Sequence, residues 1–141
     1  MEKCIFCEIA KHNLPANIVF EDNDVMAFAD INPATKGHIL IIPRKHCLNL
    51  FDIESDLFTR IFQLAKRIAR IMPKVLGCSG VNLLHSAGES AWQEVMHFHL
   101  HIIPRYNREE LQRPFIPHST DKDELKKVAF ALNKKIKEGS K

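Results

Sequence analysis

The chain has 141 residues, of which 45% are hydrophobic and 26% charged, and its formal net charge is +3. This composition is typical of a globular protein and excludes a disordered chain, a collagen and a coiled coil. The length predicts one domain over residues 1–141. No apolar run is long enough for a membrane helix, and Met1-Glu2-Lys3-Cys4 does not resemble a signal peptide. We therefore expect a cytoplasmic protein without a membrane partner.

The first third of the chain predicts a short helix followed by three strands. The helix is expected at residues 4–11, and the strands at 17–21, 25–31 and 37–42. Asp22-Asn23-Asp24 indicates a hairpin turn between the first two strands. Asn32-Pro33 and Pro43 are expected to end the second and third strands, because proline interrupts regular pairing.

A long helix is predicted over residues 54–72. Apolar residues recur there at spacings of three and four, which is the pattern of one helix face. They are Leu57, Ile61, Leu64, Ile68 and Ile71. Pro73 is expected to kink or end the helix, because it has no N–H to donate to the carbonyl of Ala69.

The second half of the chain predicts two further strands, at residues 81–85 and 95–103, and a C-terminal helix. Ser119 or Thr120 is the expected N-cap of that helix. Its apolar side carries Leu125, Val128, Leu132 and Ile136. Strands that cluster apart from the helices predict an α+β fold with a mostly antiparallel sheet of five strands, a long central helix and a C-terminal helix.

The last predicted strand carries His97, His99 and His101 in alternation with apolar residues. Side chains of a strand alternate between its two faces, so the histidines are predicted to share one face. The outer two would lie about 13 Å apart, which disfavours a metal site built from all three. Neighbouring imidazoles also resist joint protonation, and a neutral imidazole can act as a nucleophile. The alternative is a merely polar outer face.

Cys4 and Cys7 form a C-x-x-C pair at the start of the chain. Without an export signal, the pair is not expected to form a disulfide, and it indicates a metal site, a redox pair or a coincidence of spacing. No strand precedes the pair, as a thioredoxin-like redox motif would require, so a metal site is the preferred interpretation if partner ligands exist.

Taken in order, these motifs resemble the histidine triad (HIT) family, and most closely its bacterial Hint-type branch of homodimeric nucleotide-binding proteins. The matching segments are Cys4-Ile5-Phe6-Cys7, Glu21-Asp22, Phe28-Ala29-Asp30-Ile31-Asn32-Pro33, Gly37-His38, Ile42-Pro43-Arg44-Lys45-His46, Gln93-Glu94-Val95 and His97-Phe98-His99-Leu100-His101-Ile102-Ile103. The resemblance implies a single HIT domain with a HIT-like fold. It also implies transfer of a nucleotidyl group to water.

The resemblance implies catalytic roles for four residues. His99 would be the nucleophile that forms a covalent nucleotidyl-histidine, and the His97 carbonyl would fix the tautomer of His99. His101 would hydrogen-bond the α-phosphate, and Gln93 would contact the phosphate or the bridging oxygen. The implied substrates are purine nucleoside phosphoramidates or related adenylates.

The resemblance also implies a nucleotide-binding set. His38 would bind the α-phosphate, Asp30 would accept from the ribose hydroxyls, and an apolar slot for the base would consist of Phe28, Ile31 and Leu40. Ser86 occupies a phosphate-binding position at which the family usually has asparagine. Trp92 stands where the family usually has glycine, and Glu94 stands where related proteins have serine or glutamate.

A structural zinc is implied at Cys4, Cys7, His46 and His97, with no organic cofactor. Two other functions stay open: a dinucleoside polyphosphate hydrolase with the same nucleophile, and a non-catalytic nucleotide-sensing or interaction module. RNA binding through Arg105, Arg108, Arg113 and the lysine-rich C-terminal helix is least favoured, because that helix alternates in charge sign and indicates a solvated face.

Overall fold

The computed structural model describes residues 3–113 and 115–139. Met1 and Glu2, which belong to the segment that does not resemble a signal peptide, lie outside the described residues. The chain divides into two compact units, Met1–Leu111 and Gln112–Lys141. In the described part of the chain, no helix is both long enough and apolar enough to cross a membrane.

The first unit is built on one antiparallel sheet of five strands, as predicted. The strands are β1 (Ile18–Glu21), β2 (Val25–Ala29), β3 (Ile39–Pro43), β4 (Gly80–Leu84) and β5 (Leu100–Arg105). Their order across the sheet is β1-β2-β3-β5-β4, with antiparallel pairing throughout. Strand β5 therefore lies between β3 and β4. The predicted hairpin turn is confirmed, because the side chain of Asp22 accepts from the backbone N–H groups of Asp24 and Val25.

Helices cover both faces of the sheet because the residues of β2 and β3 alternate between two cores. On one face, Val25 and Ile41 pack with helix α2 (Ser55–Leu76). On the other face, Met26 and Phe28 pack with helix α1 (Ile5–Ala10). The cavity described below lies on the α1 face.

Helix α2 runs past the proline that was expected to kink or end it. Pro73 lies inside the helix, which ends where Gly77 takes the left-handed conformation and donates its N–H to the carbonyl of Pro73. Pro73 is exposed, so water can reach the carbonyl that proline leaves without a donor. Ile71 is also more than half exposed, and Met72 takes its place on the buried face.

The predicted strand over residues 95–103 is wrong in its first half, because β5 begins only at Leu100. Pairing with β3 stops where Ile41 meets Leu100. The N–H of Phe98 instead donates to the carbonyl of Cys47. Pro43 has no N–H to extend the ladder, and its carbonyl accepts from His97. His97 and His99 thus precede the strand, and the three histidines do not lie on one strand face.

The second unit contains helix α3 (Lys122–Lys137), which includes the four apolar positions predicted for it. Its N-cap is Asp121 rather than Ser119 or Thr120. The side chain of Asp121 accepts from the N–H of Asp123, and a carboxylate at this position also interacts favourably with the helix dipole.

Candidate active site

A cavity of about 610 Å³ opens on the α1 face of the sheet. Its floor is a row of cross-strand neighbours, here called the floor row: Phe28 on β2, Leu40 on β3, His101 on β5 and Leu84 on β4. Residues paired across antiparallel strands point to the same face, so all four side chains line the cavity. Within this row, His101 has Leu40 and then Phe28 on one side and Leu84 on the other.

The position of its hydrogen atom makes His99 a candidate nucleophile. Its Nδ1 lies 2.7 Å from the carbonyl oxygen of His97, which can only accept, so Nδ1 carries the hydrogen. In the neutral ring, Nε2 then keeps a free lone pair. Burial lowers the pKa of His99 more than the hydrogen bond to His97 raises it. His99 is thus neutral at physiological pH, and its ring lines the cavity.

His38 and His101 form a directed chain of hydrogen bonds. The N–H of Ala34 donates to Nδ1 of His38, so the ring hydrogen of His38 is on Nε2. That Nε2–H donates over 2.9 Å to Nδ1 of His101. The hydrogen of the neutral His101 ring must then be on Nε2, where it can donate to an anion in the cavity.

His38 and His101, the two histidines of this hydrogen-bond chain, are both held neutral. Burial, together with the charges that His99 and His38 carry when protonated, lowers the pKa of His101 to about 4. Burial also lowers the pKa of His38, although the carboxylate of Asp30 acts in the opposite direction. The chain can therefore donate through N–H groups without carrying a permanent positive charge.

The lowered pKa of His101 predicts that acid destabilises the protein. The value is about 4 in the fold and about 6.5 in an unfolded chain. As the pH falls, the unfolded state binds the proton first. The contribution to the free energy of unfolding is therefore complete above about pH 6.5 and is lost towards about pH 4. Urea unfolding at a series of pH values measures this decline.

The matched variant for this prediction is His101→Asn. The asparagine side-chain oxygen can accept the hydrogen of His38, but it does not titrate in this range. We expect the free energy of unfolding of the variant to fall less steeply between pH 6.5 and pH 4 than that of the wild type. Equal slopes for the two proteins would assign the pH dependence to other groups.

The residues predicted to bind a nucleotide also line this cavity. Phe28 and Leu40 are almost completely buried, whereas Ile31 is 82% exposed. Asp30 accepts from the N–H of Asn32 through Oδ1, and its Oδ2 lies 3.6 Å from Nε2 of His38. Ser86 is also part of the cavity wall. These five residues thus come together with His38, His99 and His101.

Gln93 is placed differently from the prediction. Among the described residues, it is not part of the cavity wall. Its Nε2 donates to the carbonyls of Leu48 and Val95, and its Oε1 accepts from Asn49 and from the N–H of Gly88. An amide has two donors and two acceptor sites, so no position is left for a phosphate. Gln93 is a positioning residue for the segment around it.

Sequence reasoning did not identify His85, whose ring forms a hydrogen bond with the backbone carbonyl of His99. The N–H of Leu50 donates to Nε2 of His85, so Nδ1–H of His85 donates to the carbonyl of His99 at 3.0 Å. The ring also stacks on Phe98 at 4.3 Å between centroids. His85 stands outside the alternating motif, and its spacing gave no signal for this role.

A second cluster brings together Cys4, Cys7, His46 and His97. Nε2 of His97 donates to the carbonyl of Pro43, so Nδ1 of the neutral ring holds a lone pair. That atom lies 3.4 Å from each cysteine sulfur and 3.2 Å from Nδ1 of His46. Nδ1 of His46 is in turn 3.3 Å from the sulfur of Cys7. Four lone-pair donors thus converge on one point.

The donor set fits a tetrahedral zinc ion. Zinc binds nitrogen at about 2.0–2.1 Å and sulfur at about 2.3 Å, which places tetrahedral ligand atoms about 3.3–3.8 Å apart. The separations between the ligand atoms, 3.2 to 3.4 Å, lie close to this range. Cys47, considered from the sequence as a substitute ligand, is not in the cluster. The carbonyl of Cys47 accepts from the N–H of Phe98, and its side chain packs against the core on the α2 face.

Comparison with known proteins gives a family match over most of the chain. The HIT domain model matches residues 11–108. An adenosine 5'-monophosphoramidase of Saccharomyces cerevisiae is 38% identical over 138 residues, which cover 97% of this chain and 84% of the relative.

Solved structures agree with the architecture. A crystal structure of a HIT family member from Bacillus subtilis superimposes with a TM-score of 0.86 at 35% identity, covering 94% of this chain and 96% of that one. A zinc-bound histidine triad family protein from Mycobacterium smegmatis has a TM-score of 0.75 at 30% identity, covering 98% of both chains. The predicted fold is thereby confirmed.

Proposed function

The chain belongs to the HIT family, and we propose that it hydrolyses purine nucleoside phosphoramidates or related adenylates at the α-phosphate through a covalent nucleotidyl-histidine. The observation that carries this proposal is the orientation of His99. Its Nδ1–H is bound to the His97 carbonyl, and its ring lines a cavity of a volume that suits a small ligand. The name of the yeast relative supports the substrate class.

The proposed reaction has two displacements at phosphorus. In the first, the Nε2 lone pair of His99 forms a bond to phosphorus and the bond to the leaving nitrogen breaks, while that nitrogen takes up a proton from solvent. In the second, water forms the new P–O bond, the P–Nε2 bond breaks, and the water proton goes to solvent. A nucleoside monophosphate and an amine are released. Splitting one difficult displacement into two is the advantage of covalent catalysis.

The neutral pair His38 and His101 stabilises the phosphate in this proposal. Nε2–H of His101 donates to a non-bridging oxygen, and His38 holds His101 in the tautomer that can do so. Donors fixed before the substrate arrives need little reorganisation as negative charge develops in the transition state.

The nucleoside is proposed to lie on the Phe28 side of the floor row. Phe28 and Leu40 offer an apolar surface for a flat base, and Ile31 covers it from the cavity mouth. Asp30 has one oxygen bound in its own turn, so Oδ2 is the atom available to the ribose hydroxyls.

A structural zinc ion at Cys4, Cys7, His46 and His97 is part of the proposal. The likeness to a zinc-bound family member supports it. The ion would join helix α1 to His97, whose carbonyl orients His99, and so would fix the nucleophile indirectly.

A homodimer belongs to the same proposal, as the resemblance implies. Helix α3 is amphipathic, and the burial of its apolar side against a second copy would stabilise such a helix. Its apolar positions are Leu125, Val128, Leu132 and Ile136.

The direct test is to trap the intermediate. Mixing enzyme with excess adenosine 5'-monophosphoramidate and quenching in alkali, where a phosphorus–nitrogen bond to histidine survives, should add the mass of one adenylyl group. Peptide mapping should place that mass on His99. The absence of any adduct, or an adduct on another residue, would contradict the proposed mechanism.

A further inference from the structure

Trp92 has a conformation that its residue type disfavours. Its φ is 67°, in the left-handed region where a bulky side chain is strained. The indole is nevertheless 71% exposed, at the rim of the cavity. Burial therefore does not explain why a large aromatic residue stands there. A strained, exposed aromatic residue at a cavity suggests a role in ligand contact.

The backbone around Trp92 is held rigidly. The N–H of Trp92 donates to the carbonyl of Glu89, and the N–H of Gln93 donates to the carbonyl of Gly88. The side-chain amide of Gln93 adds four further hydrogen bonds to the protein. Trp92 and Glu94, the neighbours of this anchor on either side, both line the cavity. They are thus presented to a ligand from a fixed backbone.

The floor row assigns a side of the cavity to each part of a substrate. If the nucleoside lies on Phe28 and Leu40 and the phosphate at His101, the leaving group extends over Leu84, one strand further along the sheet. Leu84 is 45% exposed, which leaves apolar surface for that group. Trp92 and Glu94 are in the wall of the same cavity.

Glu94 adds a charge preference at this end. Its side chain lines the same cavity as His99, His101 and Leu84. A carboxylate in the wall of this cavity repels a leaving group that carries negative charge. A leaving group that is itself a phosphate chain, as in a dinucleoside polyphosphate, is therefore disfavoured. An amine is not.

We propose that Leu84, Trp92 and Glu94 form a leaving-group subsite that selects amines with a flat apolar body and disfavours anionic leaving groups. This inference rests on the proposed function and specifies its substrate class. The ring of Trp92 contacts the apolar body of the amine, and Glu94 excludes negative charge.

A panel of adenosine 5'-phosphoramidates tests the subsite. The leaving groups are propylamine, tryptamine, phenylalanine and phenylalanine amide, and diadenosine tetraphosphate is the anionic comparison. We expect the wild type to prefer tryptamine over propylamine about tenfold in kcat/KM, a preference of the size that aromatic contacts give. Trp92→Asn should remove most of that ratio, because asparagine tolerates the left-handed conformation but has no ring.

A second pair of substrates tests the charge. The free carboxylate of phenylalanine should make it a poorer leaving group than phenylalanine amide, and Glu94→Gln should narrow that difference severalfold. Phe51→Asn is the control, because Phe51 is 83% exposed and, among the described residues, not part of the cavity wall. It should keep the wild-type ratios.

Binding offers a readout besides turnover, because Trp92 is the only tryptophan in the sequence. In the His99→Ala variant, which should not turn over the ligand, the fluorescence of Trp92 should change more on binding of the adenosine 5'-phosphoramidate of benzylamine than on binding of adenosine monophosphate. If the wild type and Trp92→Asn both turn over the phosphoramidates with the same ratio of kcat/KM for tryptamine over propylamine, the subsite is wrong but the proposed function stands. No turnover of any phosphoramidate by the wild type would overturn both.

Discussion

Replacing His99 by alanine is expected to lower kcat/KM for adenosine 5'-monophosphoramidate by about 10⁴-fold, the scale on which removal of a nucleophile acts. The variant keeps the cavity, the donors on His38 and His101, and the floor row, so nucleotide binding should remain. Steady-state kinetics and titration with adenosine monophosphate measure the two effects separately. A large loss of kcat with retained binding is the signature of a group that acts on the reacting atoms.

Two further variants distinguish the nucleophile from a structural histidine. His99→Gly opens a space of the size of the lost ring, so added imidazole should restore part of the turnover. His12→Asn is the control, because His12 is exposed and also has a left-handed backbone, which asparagine tolerates. It should leave the rate unchanged. If His99→Ala keeps more than a tenth of the wild-type rate, another group is the nucleophile.

Local periodicity was sufficient to predict most of the fold. The spacing of apolar residues in α2, the turn at Asp22 and the apolar runs of β2 and β3 are short-range signals. The elements formed as predicted apart from their ends. Pro73 misled the prediction because a proline in the last turn of an exposed helix end loses only a hydrogen bond that water can replace.

The alternation at His97, His99 and His101 predicted one strand face, and the local geometry is different. Alternation is the pattern of a strand, but β3 provides no pairing beyond Ile41, so the chain leaves the ladder at His97 and His99. This departure gives the histidines different surroundings. His97 turns to the cysteines, while His99 lines the cavity. A regular strand would not separate the two in this way.

The roles of Gln93 and His85 could not be derived from the sequence. Each depends on backbone groups that are distant along the chain, Leu48 for Gln93 and Leu50 for His85. Such partners are fixed only when the segment at residues 48–50 packs beside β5. An amide or an imidazole read from the sequence does not indicate whether its hydrogen bonds will be used by the protein or left for a ligand.

Cys4→Ser should abolish zinc binding while the start of helix α1 is preserved. The sulfur of Cys4 accepts from the N–H of Cys7 as the N-cap of α1, and serine is a favoured N-cap residue. The variant thus removes a zinc ligand without removing the cap. Elemental analysis should give close to one zinc per wild-type chain and almost none in the variant.

Loss of zinc should also lower stability and slow catalysis. A ligand present at a thousand times its Kd stabilises the fold by about 4 kcal/mol, so urea unfolding should show a loss of that order. In the proposed site, loss of the ion would remove a bond that holds the His97 ring, so the His97 carbonyl should orient His99 less well. Groups that orient a reacting residue are worth about 10–100-fold in activity.

Cys47→Ser is the matched control for the zinc site. Cys47 adjoins His46 and is a free, partly buried thiol, but it does not belong to the cluster of four ligands. The Cys47→Ser variant should keep the zinc content and the turnover rate of the wild type, with only a modest loss of core packing. Equal zinc content in Cys4→Ser and Cys47→Ser would contradict the ligand assignment. Zinc loss in Cys4→Ser without any change in rate would confine the ion to stability and separate it from the orientation of His99.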